Sequence, residues 1–248
     1  MSVSLLQLEQ LTKRYRDGAR EIAVLDQVNL ELGAGESVGI VGERRSGKTT
    51  LLRIAAGIEL PDGGSVWFGG ARVGASIDAR AHLWRRAGIA LVRGDWRPPA
   101  GRNALEQVAM PLLADGTSAQ EADRSARQAL RRVGAGELAG SAIEMLSIAE
   151  RIRVDLARAL VREPRVLLVD EPALLPGPSD ARELYSLLRG LPRQLGLAMV
   201  IASEDISALA GLPHVLSLSD GRLISSRPGD ADVIQFPSAR ARSGSEGR

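Results

Sequence analysis

The segment from Gly42 to Thr50 contains the residue types that hold phosphate. It reads G-x-x-x-x-G-K-T-T, in which glycines let the backbone turn tightly and present N–H groups to phosphate oxygens. Lys48 adds a cation for the β- and γ-phosphates, and a helix starting there would add its positive N-terminal end. We expect a nucleoside triphosphate to bind here, with Mg²⁺ held by the Thr49 hydroxyl. The expected contacts are Gly42, Glu43, Arg44, Arg45, Ser46, Gly47, Lys48, Thr49 and Thr50.

Lysine usage supports this interpretation. The chain has 32 Lys and Arg residues, and only Lys13 and Lys48 are lysines. Lysine provides a compact ammonium group on a flexible stem, which arginine cannot replace at a phosphate-binding loop. A chance glycine-rich turn is the alternative, and the apolar segment 38–41 before the loop argues against it.

Two acidic residues follow the apolar segment 166–169. Asp170 is placed to hold Mg²⁺ directly or through water, and Glu171 to polarise an attacking water as a general base. A solvated acidic turn is the alternative interpretation. The phosphate loop earlier in the chain favours the nucleotide site.

The surrounding pattern predicts an α/β protein with a helical insertion. Apolar segments predict strands, and Ala-, Leu- and Arg-rich segments with helical spacing follow Trp96. Ser118 begins a helix signature with an acidic residue three positions later. Strands are expected at 5–11, 23–32, 38–41, 65–68, 88–92, 166–169, 197–202, 215–218 and 223–225. Helices are expected at 51–56, 77–86, 118–133, 149–162, 180–195 and 206–210.

Composition excludes several classes of protein. Apolar residues make up 44% of the 248 residues and aromatics only 3%, which predicts an aliphatic core. The net charge of +2 argues against dedicated nucleic-acid binding, although the sequence pI of about 9.5 leaves a basic patch open. The absence of cysteine excludes disulfides and thiolate metal sites. Neither a secretory signal nor a membrane-length apolar stretch is visible. We expect a cytosolic protein, or one attached to a membrane through a partner.

Taken together, these motifs resemble the ATP-binding subunit of an ATP-binding-cassette (ABC) transporter, from the N-terminus to about residue 226. The segment 106–112, E-Q-V-A-M-P-L, is most similar to the lipoprotein-release and peptide-export type. The resemblance implies a P-loop NTPase fold with a mixed-sheet core (1–93 and 164–226), an inserted helical subdomain (94–163) and an N-terminal antiparallel β subdomain. It also implies a single domain over 1–236 and stacking of Tyr15 on adenine. The tail at 237–248 has no apolar periodicity, so we expect it to be disordered.

The chain departs from the family pattern where the family contacts the γ-phosphate and the second subunit. The family signature L-S-G-G-E-Q is replaced by Leu146, Ser147, Ile148, Ala149, Glu150 and Arg151, so both glycines are lost. Gly94 stands where the family has a glutamine that senses Mg²⁺ and water, and Glu204 where it has a switch histidine. The segment after Pro172 lacks the usual aspartate.

The resemblance implies a subunit that binds Mg-ATP and couples dimer closure to a membrane permease, with weak or partner-dependent hydrolysis. Glu171 is the expected catalytic base, and Glu204 occupies a second catalytic position. Its partners would be a permease and a second cassette, at the inner face of the cell membrane. One alternative is a regulatory or scaffold subunit that hydrolyses little ATP. Another is a soluble ABC protein acting on ribosomes or DNA.

Overall fold

The computed structural model describes residues 4–18, 20–73, 88–172 and 178–225. The predicted helix at 77–86, the expected tail at 237–248 and most of the segment after Pro172 lie outside these ranges. The strands are β1 (Leu6–Asp17), β2 (Arg20–Leu32), β3 (Ser37–Val41), β4 (Gly63–Phe68), β5 (Ala71–Arg72), β6 (Ile89–Arg93), β7 (Val166–Asp170), β8 (Ala198–Ser203), β9 (His214–Ser219) and β10 (Arg222–Ser225). The α-helices are α1 (Lys48–Ala55), α2 (Ala104–Ala114), α3 (Ala119–Arg132), α4 (Ile148–Leu160) and α5 (Pro178–Leu195).

The first sheet is antiparallel, in the order β2-β1-β4-β5. Leu6 pairs with Leu32 on one side and with Phe68 on the other. The strands β1 and β2 are longer than predicted because their paired outer ends carry exposed charged residues, where apolar alternation gives no signal. This sheet confirms the expected N-terminal antiparallel subdomain.

The second sheet has the order β10-β9-β3-β8-β7-β6 and is parallel except for β10. Its inner strands β7 and β8 are buried along their whole length, which explains their continuous apolar sequences. The carboxyl ends of β3, β7 and β8 lie side by side, since Val41 pairs with Ser203 and Asp170 with Ala202. This edge therefore brings together the phosphate loop, the acidic pair and Glu204.

Helices α2, α3 and α4 lie between β6 and β7 in the chain and pack on one another. Their starts are fixed by side-chain caps: Asn103 and Glu106 form a capping box at α2, and Ser147 and Glu150 form another at α4. Ser118 caps α3, as its sequence predicted. Helix α4 begins one residue before its predicted start and ends two residues before its predicted end.

Two aliphatic clusters form the core. One combines the three helices with one face of the parallel sheet, and the other joins the antiparallel sheet to α1 and the opposite face. The core is aliphatic because buried aromatics are few, as composition predicted. Among the described helices, none is both long and apolar enough to cross a lipid bilayer.

Candidate nucleotide-binding site

The phosphate loop connects β3 to α1 at the carboxyl edge of the parallel sheet. Gly47 has a φ of 105°, and a Cβ added there would lie 2.7 Å from the carbonyl oxygen of Val24. A Cβ at Gly42 would lie 2.6 Å from the carbonyl oxygen of Leu218. Both positions therefore require glycine, for conformation in one case and for space in both.

Lys48 is held inside this loop, with only 5% of its surface exposed. Its Nζ donates to the carbonyl oxygens of Gly42 at 2.7 Å and Glu43 at 2.9 Å. The same Nζ lies 3.2 Å from Oε1 of Glu171. The ammonium is thus preorganised at the mouth of the loop, where a phosphate would approach it.

Asp170 ends β7 and is buried beside Thr49. Burial raises the pKa of Asp170, while a hydrogen bond with the Thr49 side chain and the charge of Lys48 act against that rise. Within the described ranges, Oδ1 of Asp170 is buried without a hydrogen-bond partner, as is Oε1 of the adjacent Glu171. Carboxylate and hydroxyl oxygens are the ligand types that Mg²⁺ prefers. The two predicted metal ligands therefore lie together and fit the ion.

Glu171 follows Asp170 in a left-handed backbone conformation with a φ of 44°. Its backbone N–H donates to the carbonyl oxygen of Ala202 at 3.1 Å. Its side chain lies between two groups, with Oε1 near Lys48 and Oε2 accepting from the backbone N–H of Glu204 at 3.3 Å. One oxygen of the predicted base therefore faces the Lys48 ammonium without a hydrogen bond to any described residue, and the other accepts a backbone hydrogen bond.

These residues line one cleft of about 510 Å³. It includes the loop from Arg44 to Thr50 together with Tyr15, Val24, Glu171 and Glu204. Arg44 and Arg45 line the same cleft as Glu204. In the part of the chain that the structure describes, no ion pair joins Glu204 to either arginine. Its carboxylate therefore remains an exposed negative charge at the rim.

Tyr15 also lines this cleft and is half-exposed near the end of β1. Its hydroxyl donates to Glu59 and lies 3.4 Å from Oγ1 of Thr50, and Lys13 lies over its ring at 5.5 Å from the centroid. Burial, and then the hydrogen bond with Glu59, raises the pKa of Tyr15. The ring is held rigidly where a base could stack. Sequence reasoning missed Glu59, because nothing in the turn after α1 marks an acidic residue as a tyrosine partner.

The signature segment lies away from this cleft. Ser147 caps α4, and Ile148 is 40% exposed at the first position of the helix. Ile148 instead lines a second cleft of about 460 Å³ with Gly94 and Trp96. The structure thus brings together the phosphate loop, the acidic pair, Tyr15 and Glu204, and leaves the signature on a separate surface.

Comparison with known proteins agrees with this arrangement. The family model for ABC transporters matches residues 25–174. The chain is 37% identical to the lipoprotein-releasing system ATP-binding protein LolD of Chromohalobacter salexigens over 88% of this chain and 92% of that protein. It is 35% identical to LolD of Pseudomonas syringae pv. tomato over 89% and 97% of the two chains.

Solved structures show the same fold. The dimeric structure of MJ0796, a bacterial ABC transporter cassette, superposes with a TM-score of 0.81 at 27% identity, covering 88% of this chain and 96% of that one. A post-hydrolysis state of MJ0796 bound to ADP and phosphate gives a TM-score of 0.79 at 28% identity, with the same coverage of 88% and 96%. The predicted fold class is confirmed, and the chain belongs to the ABC transporter ATP-binding family.

Proposed function

We propose that this chain is the ATP-binding subunit of a membrane transporter of the lipoprotein-releasing type, and that its own hydrolysis of ATP is slow. Family membership and the LolD relatives support the first part. The observation that carries the nucleotide assignment is the buried Lys48, held at the mouth of a glycine-hinged loop beside the carboxylates of Asp170 and Glu171.

Different residues of the site would bind the base, the phosphates and the metal ion. Tyr15 offers its ring to the base, the loop amides and Lys48 receive the phosphates, and Thr49 and Asp170 would hold Mg²⁺. Bound Mg²⁺ supplies neutralisation of the phosphate charge. Glu171 is positioned beside the phosphate end of the cleft, where a general base must accept a proton from water.

We expect slow hydrolysis because of the contacts and residue types at the catalytic positions. Glu171 has one oxygen 3.2 Å from the Lys48 ammonium and the other accepting from the amide of Glu204, so its carboxylate is directed at protein groups and would have to reorient towards an attacking water. The Glu204 carboxylate accepts hydrogen bonds and repels phosphate, whereas the histidine of the family donates. Ile148 replaces a glycine where close approach to a second subunit would be needed.

We propose that the chain works with a permease and a second cassette at the inner face of the membrane. The dimeric cassette structure and the LolD relatives support this arrangement. A partner with an intact signature would complete the site built on this chain's phosphate loop. The domain would extend over residues 1–236, with the helical part at 94–163.

Calorimetry with Mg-ATP on the purified chain tests the binding assignment. We expect saturable binding that Lys48→Ala weakens about ten- to hundredfold, because a hydrogen bond between charged groups contributes about 1.5–3 kcal/mol. Arg127→Ala, which removes a surface cation on α3, is the matched control and leaves binding unchanged. Equal binding by Lys48→Ala and the unsubstituted chain would refute the assignment.

Phosphate release, measured with and without the membrane partners, tests the rest. We expect a low rate alone and a faster one in the assembled transporter. Unchanged, negligible turnover in a complex that still binds ATP would instead identify a regulatory subunit.

A further inference from the structure

Gly94 lies directly against the peptide of Glu171. It follows β6, and its backbone N–H donates to the carbonyl oxygen of Asp170 at 3.1 Å. A Cβ added at Gly94 would lie only 2.2 Å from the carbonyl oxygen of Glu171, which is backbone and cannot rotate away. Any side chain at position 94 must therefore displace the Glu171 peptide.

The carbonyl carbon of Glu171 is bonded to the Cα that carries the Glu171 side chain, so a shift of this peptide also shifts the backbone from which the carboxylate extends. Glu171 has its φ at 44°, a conformation that non-glycine residues adopt only where the surroundings hold them. In this conformation its carboxylate reaches Lys48 and the amide of Glu204. The absence of a side chain at position 94 therefore permits the backbone position from which the Glu171 carboxylate reaches Lys48.

We propose that Gly94 is a positioning residue: its lack of a side chain lets Glu171 hold its carboxylate on Lys48, in competition with the phosphate of the incoming nucleotide. The inference rests on the proposed nucleotide site. It gives Gly94 a role of its own, beyond the absence of the family's glutamine.

One consequence runs against simple restoration of the family sequence. Gly94→Gln would introduce a Cβ 2.2 Å from the Glu171 carbonyl oxygen, so it would move the general base while adding the missing amide. We expect this variant to show no gain in ATP turnover.

The test measures ADP binding without magnesium, so that neither hydrolysis nor the metal ligands contribute. Glu171→Gln removes the charge that competes for Lys48, and we expect the Kd to fall about three- to tenfold, as for a partly screened like charge. Gly94→Ala displaces the same carboxylate, so its Kd falls in the same direction. In the Glu171→Gln background, Gly94→Ala then changes the Kd less than about twofold, because the two changes act on one contact.

Gly88→Ala is the matched structural control. Gly88 lies just before β6, at the end far from the site, and has a φ of 77°. Its added Cβ would lie 2.9 Å from the backbone nitrogen of Arg165. We expect this variant to lose thermal stability and keep the Kd for ADP. This control separates a positioning role of Gly94 from general backbone strain beside β6.

The outcomes are distinct. Gly94→Ala that lowers the melting temperature but leaves the Kd unchanged, or changes it equally in both backgrounds, overturns the inference. If Gly94→Ala does not fold, Gly94→Ala/Glu171→Gly must recover folding, since glycine at position 171 lets the peptide move; failure to recover overturns it too. No ADP binding by the unsubstituted chain would instead refute the nucleotide site itself.

Discussion

Replacing Glu204 tests how much the charge of its carboxylate limits ATP hydrolysis by this chain. The carboxylate lines the same cleft as Lys48 and the phosphate loop, and its backbone N–H contacts Glu171. At about 4 Å from a terminal phosphate, a like charge costs on the order of 4 kcal/mol at an effective dielectric of 20 and about 1 kcal/mol in water. Because the Glu204 side chain is exposed, we take about 1–2 kcal/mol, equal to roughly a five- to thirtyfold change in rate.

Two variants separate charge from hydrogen bonding. Glu204→Gln removes only the charge, and we expect it to raise kcat for phosphate release about five- to thirtyfold. Glu204→His adds a donor and should raise kcat further. The gain should shrink as salt is added, since exposed charges are screened. Glu137→Gln, an exposed carboxylate in the helical part of the chain, controls for net charge.

Steady-state phosphate release at saturating Mg-ATP is the appropriate assay, because a change in affinity alone would not alter kcat. If Glu204→Gln and Glu137→Gln gave the same turnover as the unsubstituted chain, the charge at position 204 would not limit hydrolysis. The cause would then lie with Glu171 or with the signature segment.

Three further predictions concern the helical part. Arg158→Met leaves the buried Asp155 carboxylate without its ion pair at 2.8 Å, so urea unfolding at pH 7 should show a loss of about 2–4 kcal/mol. Burial raises the pKa of Asp155 above its unfolded value. The loss caused by Arg158→Met should therefore diminish as the pH falls through the folded pKa towards the unfolded one, because the protonated side chain needs no partner. A loss that stays constant down to pH 4 would contradict this. Ser147→Ala should destabilise the chain by about 1 kcal/mol in the same experiment by removing the cap of α4, and no change would mean that the cap is replaced. Ile148→Gly should increase the ATP-dependent dimer seen by sedimentation, and an unchanged monomer would show that bulk at this position is not the obstacle.

The fold could be predicted well where the chain is buried and poorly where it is exposed. Strands β7 and β8 are continuous apolar runs because both of their faces are covered, and Ser118 begins its helix by a local hydrogen bond. By contrast, β5 contains two exposed residues and carries no hydrophobic signal.

The site shows the same division. Phosphate-binding chemistry was visible because it needs specific residue types at fixed spacing within one loop. The contact between Gly94 and Glu171 was not visible, because two residues 77 positions apart meet through the backbone of one and the missing side chain of the other. The left-handed conformation of Glu171 is set by the strand ends around it and has no signature in the sequence.

Because aromatic residues are scarce, two substitutions are enough to leave this chain with a single fluorescent tryptophan. Trp96 lies where the loop after β6 meets α4, with the Arg158 guanidinium 5.1 Å from its ring centroid. With three tryptophans in total, replacing the other two, Trp67 and Trp84, by phenylalanine would leave one indole at the junction between sheet and helices. Its emission would follow any rotation of the helices against the sheet, because a nearby cation and changing solvent contact both shift indole fluorescence. The fluorescence of this single tryptophan would therefore report the movement by which nucleotide binding would be signalled to a membrane partner.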